Sequence, residues 1–279
     1  MYEQEISRRS PGCFLFLLDQ SYSMGAPISG SPAAKASALA SMINELLYAI
    51  VLECTKDFQE LPRHYFDVGV IGYSGTGVRP LLPGTSRRRA LIPVHQYAGT
   101  GRLVEHSHTL RRPDGTVVEE RTTTPEWIAP LNSGMTPMCA ALGMAHKVLR
   151  GWVKQHRSSF PPIVLNITDG EATDGDPRSE ARRITRLATA DGPVLLFNLH
   201  LSEAKGESIP FPVVPPPGVP KAALLFEMSS ALPGTLVQAS GYGDRIRPGA
   251  RGFVFNGGAA SLMDFLRIGT STTSLIGEH

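Results

Sequence analysis

The chain has 279 residues, 42% hydrophobic and 19% charged, which is enough apolar material for one sizeable core. Its 27 Lys and Arg against 25 Asp and Glu leave a formal net charge of +2, too weak a field to specify nucleic acid or an anionic membrane. The three cysteines, Cys13, Cys54 and Cys139, are odd in number, widely spaced and set in apolar sequence, which argues against a disulfide framework or zinc site and predicts buried thiols in a reducing cytoplasm.

The N-terminal residues MYEQEISRRS carry charges, and the apolar run at 14–18 stops at Asp19, short of a signal-peptide core. No run approaches the roughly 20 apolar residues of a membrane span, so the expected location is cytoplasmic. That run, FLFLLDQSYSMG at 14–25, reads as a buried strand delivering Asp19, Ser21 and Ser23 to the rim of a sheet. Ser31-Pro32 is the expected cap of a helix over 33–54, with Leu39, Ile43, Leu46, Leu47, Ile50 and Cys54 on one face. Phe66, Val68, Val70 and Tyr73 mark a second strand, with Gly69 and Gly72 leaving room for a neighbour.

Residues 74–130 are irregular. Two β-prone pieces at 103–110 and 116–123 flank Pro113-Asp114-Gly115, which predicts a hairpin that lengthens the sheet's edge, stands out as a partner-binding arm, or is a plain solvated insertion. Arg87, Arg88 and Arg89 read as an exposed basic loop. Gly134, Thr136 and Pro137 then precede a helix lined by Leu142, Ala145, Leu149 and Val153, so Thr136 sits where its hydroxyl can face a ligand.

The nearly continuous apolar run at 163–167 predicts a central parallel strand ending at Asp169-Gly170. Asp176-Pro177 opens another helix, with Ala181, Ile184, Leu187 and Ala188 inward and Arg178, Arg182, Arg183 and Arg186 outward as a solvated face. A strand at 194–201, a Pro-rich loop at 210–220, a helix at 222–232, a strand at 252–255, a helix at 259–268 and a fraying Ser/Thr-rich tail complete the chain. Strands alternating with helices, without internal repeats, predict one α/β domain over 1–279: a doubly wound, mostly parallel sheet flanked by helices, with a core at about 13–268 and a hairpin insertion at about 74–130.

In such a sheet ligands bind outside the carboxyl ends of the strands, where strand order reverses. Asp19, Ser21, Ser23, Thr136 and Asp169 would meet there as two carboxylates and three hydroxyls. This hard, all-oxygen set suits Mg²⁺, Mn²⁺ or Ca²⁺ better than zinc or copper.

DxSxS at 19–23, a distant Thr in a GMTPM loop and a distant Asp in a TDG turn resemble the von Willebrand factor type A family and its metal-ion-dependent adhesion site. The resemblance spans about 13–266 in element order. It implies that Ser21, Ser23 and, in an open state, Thr136 bind the metal directly, while Asp19 and Asp169 act mainly through water. It further implies a first strand central and beside the one carrying Asp169, and an open coordination position that a partner's Glu or Asp fills. The lack of a signal peptide and the long 74–130 segment bring the chain closer to stand-alone bacterial intracellular members, some encoded beside protein kinases and phosphatases in tellurite-resistance-like and defence-type gene groups. The implied function is metal-dependent protein binding in a signalling, stress or defence complex, not catalysis.

Other readings fare less well on the residues. A haloacid-dehalogenase-type phosphohydrolase needs a second Asp where Ser21 stands, no Gly-x-Ser-x-Gly elbow surrounds Ser21 or Ser23, and there is no Walker loop. Asp174 could extend an acidic rim, and Asp176 reads as a helix cap. Among the histidines, His95, His106 and His108 lie in the 74–130 insertion and His200 in a strand, and a second, zinc-like site is not expected from them. A third reading keeps the metal structural and gives the contacts to the hairpin at 103–123.

Overall fold

All eight residues of Gly12–Asp19 are buried, and they form β1, the strand on which the rest of the chain is laid. There follow α1 (Lys35–Glu53), β2 (Phe66–Ser74), β3 (Gly77–Pro80), β4 (Ile92–Pro93), α2 (Val94–Tyr97), β5 (Arg102–Arg111) and β6 (Val117–Glu126). Next come α3 (Met138–Gln155), β7 (Ile163–Thr168), α4 (Arg178–Thr185), β8 (Ala188–Thr189), β9 (Gly192–Pro193) and β10 (Leu195–His200). The last elements are β11 (Ile209–Pro210), α5 (Pro220–Met228), α6 (Gly234–Ala239), β12 (Phe253–Phe255) and α7 (Ala259–Thr270). This computed structural model describes residues 1–57, 59–111, 116–203, 206–241, 243 and 245–270.

The central sheet is ordered β11-β12-β10-β7-β1-β2-β3, with β4 also paired to β2. β12, β10, β7, β1 and β2 run parallel, whereas β3, β4 and β11 are antiparallel additions. The fold is therefore α/β with a mostly parallel sheet between helices. Side chains alternate across a strand, so β1 feeds two cores. Phe14, Phe16 and Leu18 pack with the apolar residues of α1, α6 and α7, while Cys13, Leu15 and Leu17 pack with those of α3, α4 and α5. The chain leaves β1 for β2 on one side and later returns to lay β7 on the other. Strand order thus switches between β1 and β7, whose carboxyl ends carry Asp19 and Thr168-Asp169.

Several local expectations are corrected. Helix α1 begins at Lys35 with Ala34 as its N-cap residue and no side-chain cap; Ser31 instead accepts a hydrogen bond from the Ala33 amide in the preceding turn. By length and composition alone α1 could cross a membrane, but half of it is buried within the fold. Ala188 is exposed and belongs to β8 instead of extending the inward face of α4. Cys13 and Cys54 are buried free thiols, whereas Cys139 is partly exposed.

Strands β5 and β6 form their own two-stranded sheet, separate from the central one, so the hairpin stands off instead of lengthening its edge. Asn44 of α1 anchors its exit: the side-chain oxygen accepts from the Trp127 and Ile128 amides at 2.9 and 3.0 Å, and Nδ2 donates to the Ile128 carbonyl. The turn signal Pro113-Asp114-Gly115 and the tail beyond 270 lie outside the described residues.

The charged residue Asp67 faces the core from β2. Burial pushes its pKa up, but hydrogen bonds with His64 and Trp152 and the charges of His64 and His156 hold it below the ordinary value. A depressed carboxylate contributes stability that is present above the unfolded pKa of about 3.9 and is lost as pH falls through the folded value. Asp67→Ala leaves the Trp152 Nε1 donor unpaired, so it should lower unfolding stability by about 1–3 kcal/mol at neutral pH. Urea titrations at pH 7 and pH 3.5 should also show a weaker acid dependence than in the wild type.

Candidate metal centre

Asp19 ends β1 wholly buried, and both of its oxygens are engaged. Oδ1 accepts from the Ser21 amide at 2.9 Å, and Oδ2 accepts from Thr168 Oγ1 at 2.6 Å. Thr168 Oγ1 in turn accepts from the Gly170 amide at 3.0 Å. A chain of three hydrogen bonds thus fixes the end of β1 to the end of β7. Burial drives the Asp19 pKa up to about 6 and the nearby Asp169 charge adds to the rise, against hydrogen bonds from Ser21 and Thr168 that lower it.

Ser21 is buried and Ser23 half-buried, and their hydroxyls lie 3.1 Å apart on the turn that follows β1. Thr136 arrives on a loop stitched to that turn. Ser133 N–H donates to the Gln20 carbonyl, Tyr22 N–H donates to the Gly134 carbonyl, and Gly75 N–H donates to the Ser133 carbonyl. Gly134 has φ +65°, and a Cβ there would sit 2.5 Å from the Gly75 Cα, so only glycine allows the loop to lie this close to the end of β2. On its other side Thr136 exchanges hydrogen bonds with Thr173: its amide donates to Thr173 Oγ1, and its carbonyl accepts from the Thr173 amide. The structure therefore holds the backbones of Asp19, Ser21, Ser23, Thr136 and Asp169 together at the β1/β7 switch point.

Asp169 is 8% exposed and its two oxygens differ. Oδ2 accepts from Lys35 Nζ at 3.0 Å, whereas Oδ1 is buried without a hydrogen-bond partner. Among the described residues no three His, Cys, Asp or Glu side chains converge as a metal cage, so any cation here would rely on hydroxyls as well as carboxylates. The donor chemistry fits a hard divalent ion: Asp169, with its orphaned oxygen, is near enough to the buried Asp19 carboxylate to raise its pKa, and a pair of serine hydroxyls follows Asp19 on the same turn. Ser21, Ser23 and Thr136 are the residues that would hold the ion, with Asp19 and Asp169 supplying charge.

Three residues beside the site had no role in it in the sequence reading. Thr168 locks Asp19, and its signal was its place immediately before Asp169. Lys35 was legible only as a single cation in the first turn of an otherwise apolar helix. His200 at the end of β10 stacks on Phe255, its Nδ1 is buried without a partner, and burial presses its pKa down to about 4, so the ring is neutral. Asp174, read as part of an acidic rim, instead caps α3 by accepting from the Cys139 and Ala140 amides at 3.0 and 2.9 Å. Asp176 accepts from the Arg178 amide at the start of α4. In the arginine row, Arg178 pairs with Glu227 and Asp176, and Arg183 with Glu180.

No family model and no curated protein matches the chain. Among solved structures it is similar to the pilus adhesin RrgA of Streptococcus pneumoniae at 15% identity and TM-score 0.32, over 61% of this chain and 22% of that one. It is also similar to the adhesive tip pilin GBS104 of Group B Streptococcus agalactiae at 12% identity and TM-score 0.30, over 58% of this chain and 47% of that one. The chain spans less than half the length of either protein, and likenesses this distant bear on neither family nor function.

Proposed function

We propose that the chain is a protein-binding module of the von Willebrand factor type A kind, which uses a divalent ion, Mg²⁺ foremost, to engage a Glu or Asp of a partner protein. The observation that supports it best is Asp169 Oδ1, a buried carboxylate oxygen with no partner, placed at the strand switch next to Asp19. A carboxylate left this way is costly unless a cation completes it. Ser21, Ser23 and Thr136 are neutral donors, so a bound divalent ion keeps much of its charge and attracts a further carboxylate. Catalysis is not part of the proposal: both Asp19 oxygens are tied up by Ser21 and Thr168, and the Ser21 and Ser23 hydroxyls bond to each other. The proposed setting is the bacterial cytoplasm, in a signalling, stress or defence complex of the tellurite-resistance-like type, with a kinase and phosphatase pair as candidate partners.

The test is capture of partner proteins from the native host on immobilised protein in Mg²⁺ and in EDTA, with Thr136→Ala beside the wild type. Partner recovery should fall at least tenfold in EDTA and to a similar degree for Thr136→Ala in Mg²⁺. A second reading rests on the β5–β6 ribbon, which stands clear of the central sheet and exposes Leu103 and Val117. Recovery that survives both EDTA and Thr136→Ala would move the contact surface to that ribbon and end the metal reading.

A further inference from the structure

Lys35 opens α1 and is 1% exposed. The first turn of a helix is the positive end of its dipole, so a cation there is opposed by the helix itself. A lysine is also among the residues least often buried without partners. Helix propensity and core packing therefore leave its place unexplained, and its contacts account for it. Nζ lies 3.0 Å from Asp169 Oδ2 and 3.0 Å from Glu203 Oε1, which bridges the end of β7 to the segment after β10. Asp169 is thus shared, with one oxygen on the ammonium and the other buried with no partner. Glu203 is largely exposed, so its side of the bridge is the weaker one.

We propose that Lys35 is a resident counter-cation that sets the affinity of the site for its divalent ion, a role that rests on the metal reading above. The ammonium compensates Asp169 in the metal-free protein, and the same charge repels an arriving cation across a short, poorly screened distance. Glu203 offsets part of that repulsion from the outer side. The device keeps the metal-free protein folded and holds divalent binding below the strength the two carboxylates would otherwise give.

The test titrates Mn²⁺ into the full chain, following free ion by electron paramagnetic resonance, and compares melting temperatures in EDTA and in saturating Mn²⁺. Lys35→Met should bind Mn²⁺ about tenfold more tightly, melt lower in EDTA and gain more on Mn²⁺ addition than the wild type. Lys35→Arg should stay near the wild type. Glu203→Gln, at an exposed position, should move the other way and bind about threefold more weakly. A merely structural lysine would lower both melting temperatures together and leave affinity unchanged. Lys35→Met affinity at or below the wild-type value overturns the proposal. Should Lys35→Met not fold, Glu203→Gln decides, and binding equal to or tighter than wild type overturns it. A wild-type chain that binds no Mn²⁺ at millimolar concentration removes the metal reading itself, an outcome distinct from a wild type that binds while Lys35→Met fails to bind more tightly.

Discussion

Asp19→Ala should weaken divalent binding by about 100-fold while leaving the metal-free protein about as stable as before, because the two effects have different origins. In the empty fold Asp19 is a buried carboxylate whose pKa is driven up to about 6, so keeping it ionised at neutral pH costs on the order of 3 kcal/mol. Removing the side chain relieves that cost. That cost is already net of the hydrogen bonds from Ser21 and Thr168, and what the substitution adds is the penalty of leaving the Ser21 amide and the Thr168 hydroxyl unpaired, about 1–3 kcal/mol each. These terms are of similar size and opposite sign, so chemical denaturation in EDTA should find a small change of either sign. Nothing offsets the loss for the cation, which loses one of two carboxylates and the group that fixes the Ser21 turn. Mn²⁺ titration of Asp19→Ala beside Asp176→Ala, an exposed carboxylate on the α4 cap, checks this. Equal weakening in both would mean that general charge, and not this site, governs binding.

The parallel strands were legible because residues 14–18 and 163–167 are short, nearly unbroken apolar runs, a pattern that only strands covered on both faces require. The placement of Asp19 and Asp169 at their ends followed from the abrupt stop of each run. Legibility failed where a residue acts across elements. Local pattern pointed to Ser31-Pro32 as the cap of α1 and gave no hint that Asp174, more than 30 residues away, caps α3. Lys35, Thr168 and His200 depend in the same way on which strand end lies next to which helix start, and chain order states that only after the sheet is assembled. The hairpin was visible from two β-prone pieces flanking a Pro-Asp-Gly turn signal, but the anchoring of its exit by Asn44, a polar residue on the otherwise apolar stripe of α1, was not.

The polar residue hidden in β7 carries the second large expectation. Asn166 is wholly buried in a chain of hydrogen bonds that joins β2, β7 and β10 beneath the candidate site. Tyr73 Oη donates to Asn166 Oδ1 at 2.9 Å, Asn166 Nδ2 donates to Asn198 Oδ1 at 3.0 Å, and Asn198 Nδ2 donates to Ser229 Oγ at 2.9 Å. Asn198 Nδ2 and Ser229 Oγ also donate to the Leu225 carbonyl, which ties the far end of the chain to α5, while Asn166 links Tyr73 to Asn198 and so joins the two halves. Asn166→Ala strands the Tyr73 hydroxyl and the Asn198 carbonyl oxygen, at about 1–3 kcal/mol each, and opens a cavity between β1 and β10. The expected loss is about 3–5 kcal/mol, a large share of the stability of a domain of ordinary size. Tyr73→Phe leaves Asn166 Oδ1 without its donor and should cost about 1–2 kcal/mol. In the double variant the Tyr73 hydroxyl is no longer there to be stranded, so the combined loss should fall below the sum of the single losses by about 1 kcal/mol or more. Additive losses in urea unfolding would show that the residues stabilise the sheet independently. Because Tyr73 pairs with Asp19 in the β1–β2 register and Asn166 lies three residues before Asp169, coupling of the expected size would also make the chain the support on which both carboxylates of the centre rest.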